Sequence, residues 1–318
     1  MSLRWAFLST ARINRLVLEG ARESDRADVI AVASRDAARA EAYARDHQIE
    51  RAYPSYDALL EDADVEAVYI PLPNSMHVEW TLRALEGGKH VLCEKPFSRH
   101  SEEVERAFDV AESAGLVLSE GFMWRHNPQA ARISELVAEG AIGRLRVVRV
   151  AMSFQLATVH GEHDTRFRPE LDGGALMDVG CYCVSAIRLV AGEPERVKGE
   201  QVVGESGVDV VFAGTLACAD GIVGHFDCGF VLPRRGELEV IGEAGVLHVA
   251  DPFHVTFPGI ELRRQDGVEH IELARANSYQ LELENIADAV RGDAPLLLGR
   301  DDAVGQARTI EALYRSAA

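Results

Sequence analysis

The feature that most constrains this chain is a run of short, nearly all-apolar segments separated by helical ones. Residues 5–8, 29–33, 67–70 and 116–119 are nearly all-apolar runs of strand length, and 89–92, Lys89-His90-Val91-Leu92, reads as a further short strand. Between them, 12–23, 37–47, 77–86 and 102–113 have helical composition, and Asp36 stands where it can cap the second of these helices. Strands that are apolar throughout, not on alternate residues, are buried on both faces. Alternation of such strands with helices therefore predicts a doubly wound parallel sheet with helices on either side.

The pattern changes near residue 122. A helix over 129–139 leads through Gly140 and Gly143 to an alternating strand, 144–154. An irregular stretch over 158–172 and a helix over 174–190 follow. Strand-like runs come next at 208–219, 221–231, 237–241, 246–249 and 255–257, separated by turns such as Asp220-Gly221 and Glu243-Ala244-Gly245. Two amphipathic helices, 279–291 and 301–316, end the chain. The 318 residues are thus expected to form an α/β domain over 1–122 and an α+β domain over 123–318. The second should hold an open, mainly antiparallel sheet, with the last helix packing back on the first domain. Ligands of open parallel sheets bind beyond the carboxyl ends of the strands, and a second domain can complete such a site.

The formal net charge is -18, which repels nucleic acid and anionic membrane surfaces. No apolar run approaches membrane-spanning length, and the N-terminus reads as a first strand, not a signal peptide. Five cysteines, an odd number with no CxxC pair, fit a reducing cytoplasm. Cys181 and Cys183 lack accompanying ligands at zinc spacing and read as small apolar residues in a helix, so no metal is expected.

The strand ends carry the chemistry. The first runs into Ser9-Thr10-Ala11-Arg12-Ile13. A dinucleotide loop usually has glycine at positions 9 and 11; Ser9 and Ala11 are small substitutes that still permit close approach to a helix N-terminus. An ordinary strand-turn-helix is the competing reading. The second strand ends in Ser34-Arg35-Asp36. A hydroxyl and a guanidinium there suit a 2′-phosphate and favour NADP(H), with NAD(H) as the alternative if Arg35 is a surface charge. Two proline-stiffened loops follow later strands: Pro71-Leu72-Pro73-Asn74 and Cys93-Glu94-Lys95-Pro96. A lone lysine after a strand is commonly a surface charge. Here Asp178 and Tyr182, four apart and so on one helix face, offer an acid-base pair to stand opposite Lys95.

Pro71-Leu72-Pro73-Asn74-Ser75-Met76-His77, Glu94-Lys95-Pro96 and the run from Gly173-Gly174-Ala175 to Asp178 and Tyr182 together resemble the family of glucose–fructose oxidoreductase and myo-inositol dehydrogenase. The resemblance covers essentially the whole chain. It is nearest the branch of NADP-dependent D-xylose and dimeric dihydrodiol dehydrogenases, which carries Tyr at the position of Tyr182. The resemblance implies a Rossmann domain and a C-terminal domain whose open sheet forms a dimer interface, giving a homodimer or homotetramer. It implies cofactor contacts from Ser9, Thr10, Ala11, Arg12, Ile13, Ser34, Arg35, Pro71, Asn74, His77, Glu94 and Lys95. It implies a substrate pocket for a sugar, polyol or diol, lined by Lys95, Asp178, Tyr182 and Arg166. Hydride transfer with Tyr182 as proton acceptor and Lys95 as its activating cation follows, or the reverse assignment of those two. The competing functions are a dinucleotide-binding regulator without catalysis and an enzyme whose tightly held cofactor cycles between two sugars.

Overall fold

The computed structural model describes residues 2–318. The chain opens with β1 (Leu3–Phe7), α1 (Asn14–Arg22), β2 (Ala27–Ala33), α2 (Ala37–His47), β3 (Arg51–Tyr53), α3 (Tyr56–Leu60), β4 (Ala67–Ile70), α4 (His77–Glu86), β5 (His90–Glu94), α5 (Ser101–Ala114) and β6 (Leu118–Gly121). It continues with α6 (Pro128–Ala138), β7 (Leu145–Gln155), α7 (Leu156–His160), α8 (Cys181–Ala191), β8 (Pro194–Val203), β9 (Asp209–Cys218), β10 (Val223–Gly229), β11 (Val231–Gly242), β12 (Val246–Val249), β13 (Gly259–Arg264) and β14 (Gly267–Glu272). The last helices are α9 (Ser278–Arg291) and α10 (Arg300–Ala317). Two compact units result: residues up to His126 with Asn277–Val304, and Asn127–Ala276 with Gly305–Ala318.

In the first unit six strands form one sheet in the order β3-β2-β1-β4-β5-β6, every pair parallel. Strand order reverses between β1 and β4, which leaves a crevice at their carboxyl ends. The apolar runs are buried as the sequence requires: Trp5, Phe7, Val32, Tyr69 and Leu92 are fully shielded. Their core cluster includes Leu283, Ile286 and Ala287 of α9, so a late helix completes the early sheet. α9 lies against α1 so closely that a Cβ on Gly20 would stand 2.6 Å from the Gln280 backbone nitrogen. β3 escapes sequence detection because it is three partly exposed residues at the sheet edge.

The second unit holds eight strands in the order β14-β13-β12-β11-β7-β10-β9-β8. All pairs are antiparallel except β7 with β10. One face buries Val148, Val150, Phe226, Cys228 and Leu238. The other carries Arg149, which donates to His225 Nε2 at 3.1 Å and pairs with Glu239 at 3.7 Å. β14 is almost wholly exposed and β8 largely so, and such strands give little hydrophobic signal. The run expected over 221–231 is divided at Phe230, whose N–H bonds to the Val210 carbonyl at 2.8 Å.

The strand expected over 255–257 is a loop. The Asp251 carboxylate accepts from the His254 and Thr256 amides at 3.2 and 2.8 Å. The Gln129 side chain ties Asp251 O and Gly259 N at 3.0 and 2.9 Å. These local bonds turn the backbone and hold Val255 at φ 50, outside any strand conformation. The helix expected over 174–190 begins as a π-helical turn, Leu176–Gly180, before α8. Among the described residues, the helical segment Pro169–Ala191 alone is long and apolar enough to cross a membrane, and 78% of its apolar window is buried within the protein.

Two consequences are testable. Gly20→Ala gains about 1 kcal/mol of helix propensity but drives a methyl into the α9 backbone, an overpacking cost of about 1–3 kcal/mol. The urea midpoint should fall, and an unchanged midpoint would show that α9 can shift freely. His126, at the end of the 3-10 turn Met123–His126, has its pKa lowered to about 4 by burial and then by Arg125. The unfolded chain therefore binds this proton more readily, so stability should fall as pH drops from ~6.5 towards ~4, by about 3 kcal/mol at most. His126→Gln should flatten that part of the stability–pH curve.

Candidate active site

The loop between β1 and α1 is built without glycine. The Ser9 hydroxyl accepts from the Ala11 amide at 3.2 Å and donates to the Pro71 carbonyl at 3.3 Å. Asn14, fully buried, donates from Nδ2 to the Ser9 carbonyl at 2.7 Å. A hydroxyl and an amide thus stabilise the turn that glycines would otherwise permit. α1 has no side-chain cap and no acid in its first turn, so its N-terminal dipole favours a phosphate. Thr10, Ala11 and Ile13 are partly exposed there, and Arg12 is exposed.

At the end of β2, Ser34 is buried and its Oγ accepts from the Asp36 amide at 3.3 Å. Asp36 caps α2 by accepting from the Arg39 amide at 3.2 Å. Its carboxylate is therefore engaged locally, and Arg35 stands exposed beside it. Tyr56, 6% exposed and edge-on to Trp80 at 4.9 Å, lies under this corner. Burial raises the Tyr56 phenol pKa, and the charges of Arg35 and Arg39 pull it back, which marks a cationic corner.

Two further loops are joined by one imidazole. His77 is completely buried, with Nε2 2.8 Å from the Leu72 carbonyl and Nδ1 2.9 Å from the Pro96 carbonyl. Carbonyls only accept, so a neutral ring satisfies one contact and an imidazolium both. Burial lowers the ring's pKa while the two carbonyls raise it. With no exposed surface, His77 braces the loops; the cofactor contact expected of it has no atom to make it. Pro71 is buried and offers its carbonyl to Ser9, while Asn74 begins a 3-10 turn, Asn74–Met76. Glu94 accepts from the Tyr69 hydroxyl at 2.5 Å, and Lys95 follows it, partly buried. Glu282 of α9 is 2% exposed; burial, with the Glu94 charge, raises its carboxyl pKa well above the ordinary range.

The second unit assembles its own group. Arg166 donates from Nε and Nη2 to Asp164 at 2.8 and 3.1 Å and from Nη1 to Asp178 at 3.1 Å. Burial alone would raise the Asp164 carboxyl pKa, but the Arg166 hydrogen bonds outweigh it and hold the group below the carboxylate range. The Arg166 guanidinium, expected to meet substrate, thus holds Asp178 in place. Gly173 makes this possible, since a Cβ there would stand 2.3 Å from the Arg166 carbonyl oxygen. Asp178 lies in the π-helical turn and Tyr182 in α8, so the four-residue spacing does not stack them as a pure α-helix would. The Tyr182 ring packs against Phe253 at 5.2 Å between centroids.

Asn14, Glu282, Asp209 and Phe253 were not among the candidates read from sequence. Asn14 and Glu282 had a faint signal as polar residues on apolar helix faces. Asp209 and Phe253 had none, because their importance arises only from tertiary neighbours. Among the described residues no group of three or more His, Cys, Asp or Glu is arranged to hold a metal ion. The uncapped α1 N-terminus, the cationic corner after β2 and the crevice at the strand reversal fit a dinucleotide.

Comparison with known proteins agrees with this geometry. Residues 3–122 match the oxidoreductase family with an NAD-binding Rossmann fold, and 130–248 match the GFO/IDH/MocA C-terminal domain. The chain is 38% identical to D-xylose 1-dehydrogenase (NADP(+)) 2 of Haloferax volcanii, over 99% of this chain and 97% of that one. It is 34% identical to trans-1,2-dihydrobenzene-1,2-diol dehydrogenase of Bos taurus, over 79% of this chain and 75% of that one. The crystal structure of KijD10, a 3-ketoreductase from Actinomadura kijaniata in complex with NADP and TDP-benzene, superposes with a TM-score of 0.93 at 30% identity, covering 99% of this chain and 98% of that one. Sequence motifs, sheet order and these likenesses converge: the chain belongs to the Gfo/Idh/MocA family of NAD(P)-dependent oxidoreductases.

Proposed function

We propose that the chain is an NADP(H)-dependent dehydrogenase or reductase. Its substrate is a secondary alcohol, or the matching hemiacetal or ketone, of a sugar, polyol or alicyclic diol. The observation that carries this reading is that Glu94-Lys95 stands at the carboxyl end of β5, tied through His77 to the Leu72 loop beside the dinucleotide crevice. The cofactor preference is supported by the engaged Asp36 carboxylate, which leaves Ser34 and the Arg35 guanidinium for a 2′-phosphate. NAD(H) is the weaker alternative. The relatives named for NADP(+) and crystallised with NADP support the same choice.

Nicotinamide C4 supplies the hydride chemistry when the cofactor is bound. The chain's own residues supply proton handling and position. In oxidation, Tyr182 in its phenolate form takes the substrate hydroxyl proton while the carbinol carbon yields its hydride. The Lys95 ammonium favours the phenolate and steadies charge developing on the substrate oxygen. Asp178, held by Arg166, orients the substrate hydroxyls as an acceptor. Lys95 as proton carrier, with Tyr182 orienting, is the alternative division of labour. Five buried free thiols are compatible with a cytoplasmic setting. We further infer a homodimer or homotetramer through the open sheet face of the second unit, which light scattering tests directly.

Titration followed by nicotinamide fluorescence should show NADPH binding at least about tenfold tighter than NADH, the worth of one charge-assisted bond. Arg35→Ala should remove that difference. Tighter NADH binding would make Arg35 a surface charge. Turnover is to be screened with D-xylose, D-glucose, xylitol and trans-1,2-dihydrobenzene-1,2-diol. Lys95→Ala should lose about 10²-fold or more in turnover while keeping cofactor affinity, and Tyr182→Phe an equal or smaller amount. Near-normal turnover in both variants would sink the assignment.

A further inference from the structure

Asp209 opens β9 and is 4% exposed. One carboxylate oxygen accepts from the Leu176 backbone N–H at 2.7 Å, and the other from the Tyr314 hydroxyl of α10 at 2.8 Å. Leu176 is the first residue of the π-helical turn that carries Asp178. Gly174 makes the approach possible: its φ is +129, and a Cβ there would lie 2.2 Å from Asp209 Oδ1 and 3.0 Å from the Tyr314 oxygen. Its neighbour Gly173 is pressed equally closely by the Arg166 carbonyl. The Gly174 amide also donates to that carbonyl at 3.0 Å. The two glycines thus dock the Arg166 segment and the Asp209 carboxylate onto one helix start. Tyr314 is itself fixed, its ring edge-on to Phe212 at 5.6 Å.

We propose that Asp209 is a positioning residue that, anchored by Tyr314, sets the start of the helix bearing Asp178 and Tyr182 and so aligns both for catalysis. The inference rests on the catalytic reading given above. A buried carboxylate is costly to keep in a protein unless its donors are well placed. Here both donors are fixed, and one is the backbone of the turn whose geometry sets where Asp178 meets Arg166. Asp209 acts through the Leu176 amide and the helix start that follows it. Displacement of such a group by an ångström is enough to cost up to about 10²-fold in rate.

The test uses the full chain with NADP+ and the best substrate among D-xylose, D-glucose, xylitol and trans-1,2-dihydrobenzene-1,2-diol. Turnover is expressed per NADPH-binding site, counted by fluorescence titration, so that loss of folded protein does not register. Asp209→Ala should lower kcat per site by about tenfold or more, with NADPH affinity within about twofold and KM within about threefold of the parent. Asp209→Asn keeps an acceptor for Leu176 and should recover kcat to within about threefold. Gly174→Ala retains the carboxylate but pushes it aside, and should behave like Asp209→Ala. If Asp209→Ala does not fold, Gly174→Ala and Tyr314→Phe carry the comparison. The inference is overturned if kcat per site in Asp209→Ala or Gly174→Ala stays within about twofold of the parent, or if Asn rescues nothing. Those results with Lys95→Ala still inactive would overturn this inference alone. A parent chain that oxidises none of the four compounds overturns the catalytic reading and this inference with it.

Discussion

A parallel sheet delivers every strand's carboxyl end to one edge, and the loops that leave that edge must be tied to one another if they are to hold a ligand. In the first unit the principal tie is the imidazole of His77, set between the carbonyls of Leu72 and Pro96. Carbonyls at loop bends cannot pair with a sheet neighbour, and leaving them bare in the interior would cost about 1–3 kcal/mol each. One imidazole stands within hydrogen-bond distance of both, its neutral form donating to one of them, and so spans the two loops. The Ser9 hydroxyl extends the same linkage to the first loop through Pro71. Lys95 inherits its position from this chain of bonds.

The second unit solves a different problem. It must keep a carboxylate, Asp178, charged and aimed on a helix that is otherwise apolar. Arg166 balances the charge, and Asp164 in turn anchors the guanidinium through two hydrogen bonds and the Arg166 backbone amide through a third. Adjacent glycines at 173 and 174 let backbone and carboxylate approach the helix start from two directions. A π-helical turn then changes the relation between Asp178 and Tyr182 from the one an α-helix would impose. Such turns trade regular hydrogen bonding for a different projection of side chains, which is why they gather at functional positions.

Much of this was legible in the residues. Runs buried on both faces announced the parallel sheet, and α2 and α4 begin and end where their composition says they should. Lys95 drew notice because Pro96 stiffens its loop, and Asp36 because a cap has a fixed sequence position. What was hidden depends on tertiary contact. β14 exposes nearly every side chain, and its pairing with β13 comes from backbone bonds that leave no pattern. Residues 255–257 have strand composition, but Asp251 and Gln129 bend the segment by side-chain hydrogen bonds from outside it. His77 was expected at the cofactor on the family resemblance alone; only its burial and the carbonyls beside both ring nitrogens show that it lies inside the fold. Asp209 gave no warning and Glu282 only a faint one, since an acid in a strand or helix is ordinarily a surface group.

The seating of α9 against α1 has a consequence for how the protein is made. The core of the first unit takes Leu283, Ile286 and Ala287 from a helix that follows the whole of the second unit's sheet. During synthesis, the strands of the first sheet emerge early but lack one wall until residues near 290 have left the ribosome. The sheet-bearing part of the second unit is fully synthesised before that wall is. The second unit waits in turn for its own segment Gly305–Ala318, so each unit is closed by residues made after the second sheet, and the nascent first unit presents apolar surface for most of translation. A chain with this arrangement depends on chaperone cover, or on fast closure at the end, more than its domain sizes alone would suggest.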